Sequence, residues 1–414
     1  MTPPTPVAAR TPVLEVADAL AAARQAGRFT DDTRAALFHD LDRLHARFAE
    51  LSAAFPPSTL HAIAVKANPL VALLEPLVAA GAGLEAASWE EVAIARAAGC
   101  PGDRIVFDSP AKTDAELRDA LALGVWLNVD HEGELARLEA LGAPANARIG
   151  LRVNPQLGTG AIAFTSTVGK ASKFGVPLPQ AEALVRRYPF VTGLHVHTGS
   201  QGCGLELLVA AAERVAEEVE RLGLHWLDIG GGLPVRYTDA DPEPPSFAAW
   251  ARRLRHLPGW GQRPVVTELG RSLHAGCGWA VSRIEGVKVV DGVPTLVVHL
   301  GADLLLRRVY RPDDWDHDFV VLNPDGTPKI GEAVPTQVAG PLCFAGDLLA
   351  RRRPLPAAER GDMLLVRDTG AYTLSMWSRH CSRGLPPSLG YGRDGVVQLH
   401  PGEAPDDVVD FWSP

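Results

Sequence analysis

"HAIAVKANPLVALLEPLVAAGAGLEAAS" spans residues 61–88. "HAIAVKAN" reads as a short buried strand, "PLVALLEPLVAAG" as a helix and "GLEAAS" as the next strand. A strand, a crossover helix and a second strand make a parallel pair, because antiparallel neighbours need only a short turn. The same stretch sets an ammonium group, Lys66, inside an apolar run beside an Asn-Pro turn signal. That is a costly place for a charge without a partner.

The rhythm continues outward. An amphipathic helix is predicted over "LFHDLDRLHARFAEL", from about residue 38. After residue 88 come "WEEVAIARAAG", "RIVFDSP", "AELRDALALG", "VWLNVD", "EGELARLEALG" and "RIGLRVNP". "VTGLHVHTGS", "LVAAAERVAEEVERLG", "LHWLDIGGG", "SFAAWARRLRHL" and "RPVVTELGR" follow. About eight strand-like runs, most followed by a helix, predict a closed (β/α)₈ barrel over residues 36–278. An open doubly wound sheet is the alternative on periodicity alone. Beyond residue 280, "AVSRIEGVKVVDGVPTLVVHLG", "TQVAGPLC", "DMLLVRDTGAYTL" and "GVVQLHPGE" are β-rich and split by Gly, Pro and Asp. Residues 279–414, with 1–35, are expected to form a second, mostly antiparallel β domain.

Composition narrows the function. The 414 residues exceed one ordinary core, and 46% hydrophobic with 21% charged residues is a globular composition. A net charge of −9, with no basic cluster beyond "RRR" at 351–353, argues against nucleic-acid binding. Those three arginines read as a solvated loop. No apolar stretch is long enough to span a bilayer. Glu15 and Asp18 interrupt the only candidate leader, so a cytoplasmic protein is expected. The first dozen residues, rich in Pro and Thr, are expected to fray. The five cysteines form no CxxC pair, which predicts free thiols and no metal site.

In a barrel, chemistry gathers where strands meet the following loops. Lys66, Glu85, Arg152, His197, Ser200, the run Gly230, Gly231, Gly232, then Glu268 and Arg271 fall at or near such ends. Singly, each has a plainer reading. Lys66 can snorkel, the glycines can form a tight turn, His197 can be a satisfied core histidine, and Glu268 can pair with Arg271. Together they supply a Schiff-base amine, a phosphate cradle, a carboxylate and a flat imidazole. That set fits pyridoxal 5′-phosphate, with the carboxylate keeping the pyridine nitrogen protonated.

The motifs resemble the fold-type III pyridoxal-phosphate decarboxylases, the diaminopimelate and ornithine decarboxylase group, from about residue 36 to 400. "AVKAN", "GLHVHTGSQ", "LDIGGGLP", "TELGRSL", "GPLCFAGDLLA" and "DTGAYTLSM" occur in the family's order, and the flanks of "GPLC" and "GDLLA" lean towards the diaminopimelate branch. The resemblance implies that Lys66 carries the cofactor as a Schiff base, His197 stacks on its ring and Glu268 holds its nitrogen. Gly230, Gly231, Gly232, Ser200 and Tyr372 would hold the phosphate, and Arg271 would lie near the phosphate or a substrate carboxylate. Glu85 and Arg152 are further cofactor-site candidates. Cys343 and Asp347 would reach an active site across a homodimer interface, with Cys343 as proton donor to Cα. Tyr310 and Phe344 join the candidate substrate-binding set.

Two departures from the pattern bear on substrate. The residue after the loop cysteine is acidic in the diaminopimelate branch and binds the distal ammonium; here it is Phe344. In "GADLLLRRVYRP", Asp303 and Tyr310 fit, but the arginine position is Leu306 and the proline position Arg307. Arg307 or Arg308 is the candidate substitute, but on a strand a one-residue shift, as at Arg307, turns the side chain to the other face. The insert "RPDDWDHDF" (311–319) is either part of a modified pocket or a solvated acidic loop. These departures predict decarboxylation of another amino acid, or an amino-acid conjugate, in a specialised route such as siderophore or antibiotic synthesis. The alternatives are meso-diaminopimelate decarboxylation in lysine biosynthesis, an amino-acid racemase, or a non-catalytic homologue. Glu268 argues against the racemase, whose family places an arginine on the pyridine nitrogen. Lys66 and Cys343 argue against a non-catalytic chain.

Overall fold

The computed structural model describes residues 10–414. Most of the opening expected to fray therefore lies outside the described residues. Eighteen strands follow in chain order: β1 Ala35–Asp40, β2 Thr59–Ala64, β3 Gly83–Ala86, β4 Ile105–Phe107, β5 Trp126–Val129, β6 Ile149–Asn154, β7 Val176–Pro177, β8 Val191–His195, β9 Trp226–Asp228, β10 Val265–Thr267, β11 Gly278–Val290, β12 Val293–Val298, β13 Phe319–Leu322, β14 Ala333–Ala339, β15 Leu348–Pro356, β16 Met363–Val366, β17 Ser388–Gly392 and β18 Gly395–His400. The chain divides into two compact units.

The first unit holds residues 47–235 and 243–273. Its strands run in the order β5-β4-β3-β2-β10-β9-β8-β6, all parallel, and β5 also pairs with β6, which closes an eight-stranded barrel. The two-residue β7 adds to β6. All eight runs expected as barrel strands are barrel strands. Inside the barrel, Trp226 meets Trp126 edge to face at 4.9 Å. A Cβ on Gly150 or Gly193 would come within 2.4 or 2.2 Å of the Trp226 ring, so only glycine admits that indole. Helix ends follow local chemistry. The Ser88 hydroxyl accepts from Glu91 N–H, and Thr113 with Glu116 forms a reciprocal capping box.

The second unit holds, of the described residues, 10–46, 236–242 and 274–414. Its nine-stranded sheet has the path β15-β14-β12-β11-β1-β17-β18, with β16 pairing both β11 and β13. Pairing is antiparallel except for β1–β17 and β12–β14. Alternate residues feed two cores: Leu37, Ala280, Leu364 and Val366 face one, and Phe38, Trp279, Val281 and Leu365 the other. Helix Val13–Gln25 covers the second core with Val16, Ala19, Leu20 and Ala23. Phe38 stacks on Trp279 at 4.0 Å.

Three readings change here. The single helix predicted from residue 38 is a strand, β1, followed by helix Leu41–Ala54. All six β1 residues are buried because both faces of the sheet are covered, so the strand shows no alternation to distinguish it from helix. β1 pairs with β11 and β17, so the stretch expected to open the barrel at residue 36 belongs to the other sheet. The "RRR" run lies within β15 rather than in a loop, with Arg352 at φ +48° interrupting its regular backbone.

Candidate active site

The barrel gathers its polar residues at one end because every strand delivers its carboxyl end there. Strand β2 stops at Ala64, and Lys66 sits on a single 3₁₀ turn, Val65–Ala67. Pro69 then forces Asn68 into extended backbone, φ −155°. Gly270 lets the β10 end close onto this turn, since a Cβ there would lie 2.7 Å from Ala67 Cβ. Lys66 Nζ donates to Glu85 of β3, whose carboxylate is fully buried. Burial pushes Glu85 well above the usual carboxylate range; Lys66 pulls the other way, and Asp108 and Glu268 add to the rise.

Glu268 follows β10 directly. Its Oε2 accepts from His197 Nδ1 at 2.8 Å and stands 3.5 Å from His195 Nε2. Burial alone would raise its pKa, but His195 and then His197 outweigh it and hold the carboxyl well below its ordinary value. Burial opposes charge on His195 too, yet Glu268 and Asp228 keep its pKa high. Burial wins at His197 and lowers it. Glu268 Oε1 is buried with no hydrogen-bond partner among the described residues. The ligating atoms of His195, His197 and Glu268 fall within 4.8 Å of one another.

The three glycines after β9 have a packing reason. Gly230 has φ +62°, and a Cβ on Gly231 would lie 2.1 Å from the Glu268 carbonyl oxygen. The run thus seats the loops that carry His197 and Glu268. Gly230 N–H is taken by Asp228 Oδ1 at 2.9 Å, which removes it from the expected phosphate cradle. Ser200 Oγ accepts from both Nε and Nη2 of Arg271, at 3.1 and 3.0 Å. Arg152, two residues before the end of β6, lies 3.6 Å from Asp108 and 3.9 Å from Asp130, with its guanidinium over the Phe174 ring at 4.3 Å. His195, Asp108 and Asp228 escaped the sequence reading. Each is a polar residue at the end of an apolar run, and His195 is two residues before His197, which on an extended chain puts both on one face.

The remaining predicted residues belong to the second unit. Asp347 is buried, and its oxygens accept from Ala302 N–H and Leu342 N–H, both at 2.7 Å. The carboxylate therefore holds the loop that carries Cys343, a structural duty that the substrate-binding expectation did not include. Phe344 stacks on Tyr310 at 5.9 Å, interplanar angle 18°, and meets His380 edge-on. "LRRVY" (306–310) is a short helix, so the strand argument about Arg307 does not hold. The Arg307 guanidinium lies 4.2 Å from the Trp315 ring and 5.1 Å from Tyr372, and donates to the Tyr372 carbonyl. In the 311–319 insert Trp315 and His317 are buried and Asp316 pairs with Arg308 and Arg353, so it is not a solvated acidic loop.

Residues 41–275 match the family described as pyridoxal-dependent decarboxylase, pyridoxal binding domain. The chain is 34% identical over 382 residues to the diaminopimelate decarboxylase of Pseudomonas aeruginosa, covering 89% of each chain. It is 33% identical over 379 residues to that of Deinococcus radiodurans, covering 89% of this chain and 93% of the relative. The solved diaminopimelate decarboxylase of Helicobacter pylori in complex with L-lysine superposes with a TM-score of 0.83 at 27% identity, over 94% of this chain and 98% of that one. The lysine/ornithine decarboxylase of Vibrio vulnificus in complex with cadaverine gives 0.72 at 26% identity, over 87% and 93%. The chain belongs to the fold-type III pyridoxal-phosphate decarboxylases of the diaminopimelate and ornithine decarboxylase family, and is a carboxy-lyase that uses pyridoxal 5′-phosphate.

Proposed function

We propose that the enzyme removes the Cα carboxylate of an amino acid of the diaminopimelate type, with Lys66, Glu268 and His197 as the residues on the cofactor. The observation that carries this is the buried, low-pKa Glu268 with one unpartnered oxygen. A partner bearing a positive N–H suits that oxygen, which is what a protonated pyridine nitrogen provides. Lys66 supplies the amine for the aldehyde, His197 a flat ring beside Glu268, and the Arg271–Ser200 pair a site for the phosphate or a substrate carboxylate. Arg152 and Glu85 line the neighbouring strand ends. When bound, the cofactor supplies a π system that accepts the electrons of the bond to CO₂.

The chain's residues divide the remaining work. Glu268 fixes a negative charge opposite the ring nitrogen, and the two histidines keep it ionised. Glu85, shifted up by burial, can hold a proton beside Lys66 while the lysine is released and recaptured. Cys343, on the exposed tip of the Asp347-held loop, gives the proton to Cα in a second copy of the chain.

Support for diaminopimelate as substrate comes from the relatives, which are named diaminopimelate decarboxylases at 30–34% identity. The specialised route expected from sequence has less support. One observation keeps it as a second reading: Phe344 stacks on Tyr310 where that branch has an acidic residue, and an aromatic pair offers no carboxylate to an ammonium. CO₂ release from meso-diaminopimelate, both enantiomers of lysine and ornithine, arginine, glutamate and larger conjugates separates them. The first reading requires meso-diaminopimelate to have the highest kcat/KM. A higher value for any other member overturns it in favour of the second.

A further inference from the structure

Among the five cysteines, Cys100, Cys203 and Cys277 are buried, while Cys343 and Cys381 are exposed. The sulfur of one exposed cysteine lies against the backbone of the other. Cys343 N–H points at Cys381 Sγ at 3.4 Å, although 38 residues separate them in sequence. Both loops are specifically held. Asp347 fixes the Cys343 loop through Leu342 N–H and Ala302 N–H. The Cys381 loop turns through two successive residues in the left-handed region, Cys381 at φ +57° and Ser382 at φ +52°. Residues other than glycine rarely adopt that conformation, and the Cys381 thiol sits against the Cys343 N–H. On one flank of this turn Arg379 is tied to Glu403, and on the other Arg383 is tied to Asp303. A sulfur 3.4 Å from a backbone nitrogen, itself about 1.5 Å from Cα, fits the ~4.4–6.8 Å Cα separation of a disulfide.

We propose that Cys343 and Cys381 are a redox-modifiable pair, closed to a disulfide by a hydroperoxide and reopened by a dithiol. The exposed thiolate of Cys343 attacks the peroxide, becomes a sulfenic acid and releases an alcohol, or water when the oxidant is hydrogen peroxide. The Cys381 thiol then attacks that sulfur. The S–S bond forms, the S–O bond breaks and water leaves. Two thiols have lost two electrons, and the peroxide has taken them. Burial keeps the other cysteines out: it pushes the Cys100 thiol up to about 11 and raises Cys203 as well. The consequence for activity rests on reading Cys343 as the proton donor. A disulfide leaves that sulfur no proton to give, so the oxidised enzyme is silent and recovers on reduction.

The test uses the full-length enzyme loaded with pyridoxal phosphate. It is treated with a several-fold excess of hydrogen peroxide, enough to carry an unresolved sulfenic acid on to the sulfinic acid, then alkylated with iodoacetamide and mapped by non-reducing peptide mass spectrometry. The expected result is a linked peptide pair joining Cys343 to Cys381, lighter by two hydrogens, with activity lost and then restored by dithiothreitol. In Cys381→Ser, Cys343 instead proceeds to the sulfinic acid and dithiothreitol restores nothing. Two results overturn the pair: Cys343 and Cys381 both alkylated after peroxide, or Cys381→Ser recovering as fully as the wild type. A 343–381 link that forms with activity intact sustains the pair and refutes the proton-donor role of Cys343.

Discussion

A buried carboxylate takes its charge from its neighbours. Glu268 touches His197 at 2.8 Å and has His195 at 3.5 Å, and those imidazoles overcome the burial that would neutralise it. Glu268→Gln keeps the shape and removes the charge. Its kcat is expected to fall about 10²–10³-fold, the usual cost of deleting one preorganised electrostatic group, with the cofactor still bound. A kcat within twofold of wild type, measured as CO₂ release, would contradict that role. His317 offers a second residue-scale test. Burial lowers its pKa to about 4, while its Nδ1 lies 2.8 Å from the Arg367 carbonyl. A folded-state pKa below the unfolded one stabilises the protein above about pH 6.5 and loses that contribution as pH falls through the folded value. Between pH 7.5 and 5 the wild type should therefore lose about 2 kcal/mol more stability than His317→Gln. Urea denaturation at both pH values measures this double difference, and a constant gap would rule it out. Lys66, His197 and Glu268 were legible in sequence because each is a polar residue at the end of an apolar run. Phe344 was legible only as a departure, since nothing in a sequence shows that its ring would meet Tyr310 and His380.

Short elements carry the next level of control. The loop from Gly340 to Leu348 closes on one carboxylate, and a Cβ on Gly340 would lie 2.2 Å from Asp347 Oδ2. Asp347→Asn turns an NH₂ group towards one of the two backbone N–H donors it now serves. A buried donor left unsatisfied costs about 1–3 kcal/mol, so the variant should unfold at lower urea and its Cys343 should alkylate faster. Wild-type values for both would show that the loop does not depend on this residue. The barrel strands were readable because each is a short apolar run followed by a helical pattern. The failures share one cause. β1 and "LRRVY" are short, and five or six residues are too few to separate the helical period from the strand period. Burial of both β1 faces and the packing of Arg307 on Trp315 decided them, and both are tertiary effects.

At the scale of the whole molecule, a barrel that brings eight strand ends together and a separate β unit that carries the cysteine loop account for the family assignment. The alternation of strand and helix made the barrel visible in sequence, and the N-terminal stretch was expected in the second unit only through residue 35; residues 36–46 and 236–242 join it through pairing and packing at long range, which sequence does not show. Among the described residues no helix is long and apolar enough to cross a membrane. The central claim is that this barrel end breaks the bond between Cα and its carboxylate and that Lys66 is required. The most direct measurement is release of labelled CO₂ from carboxyl-labelled meso-diaminopimelate by the cofactor-loaded wild type and by Lys66→Ala. Rapid release by the wild type, with loss of at least about a thousandfold in the variant, is predicted. Label retained in an epimerised amino acid, or equal release by the variant, would contradict it.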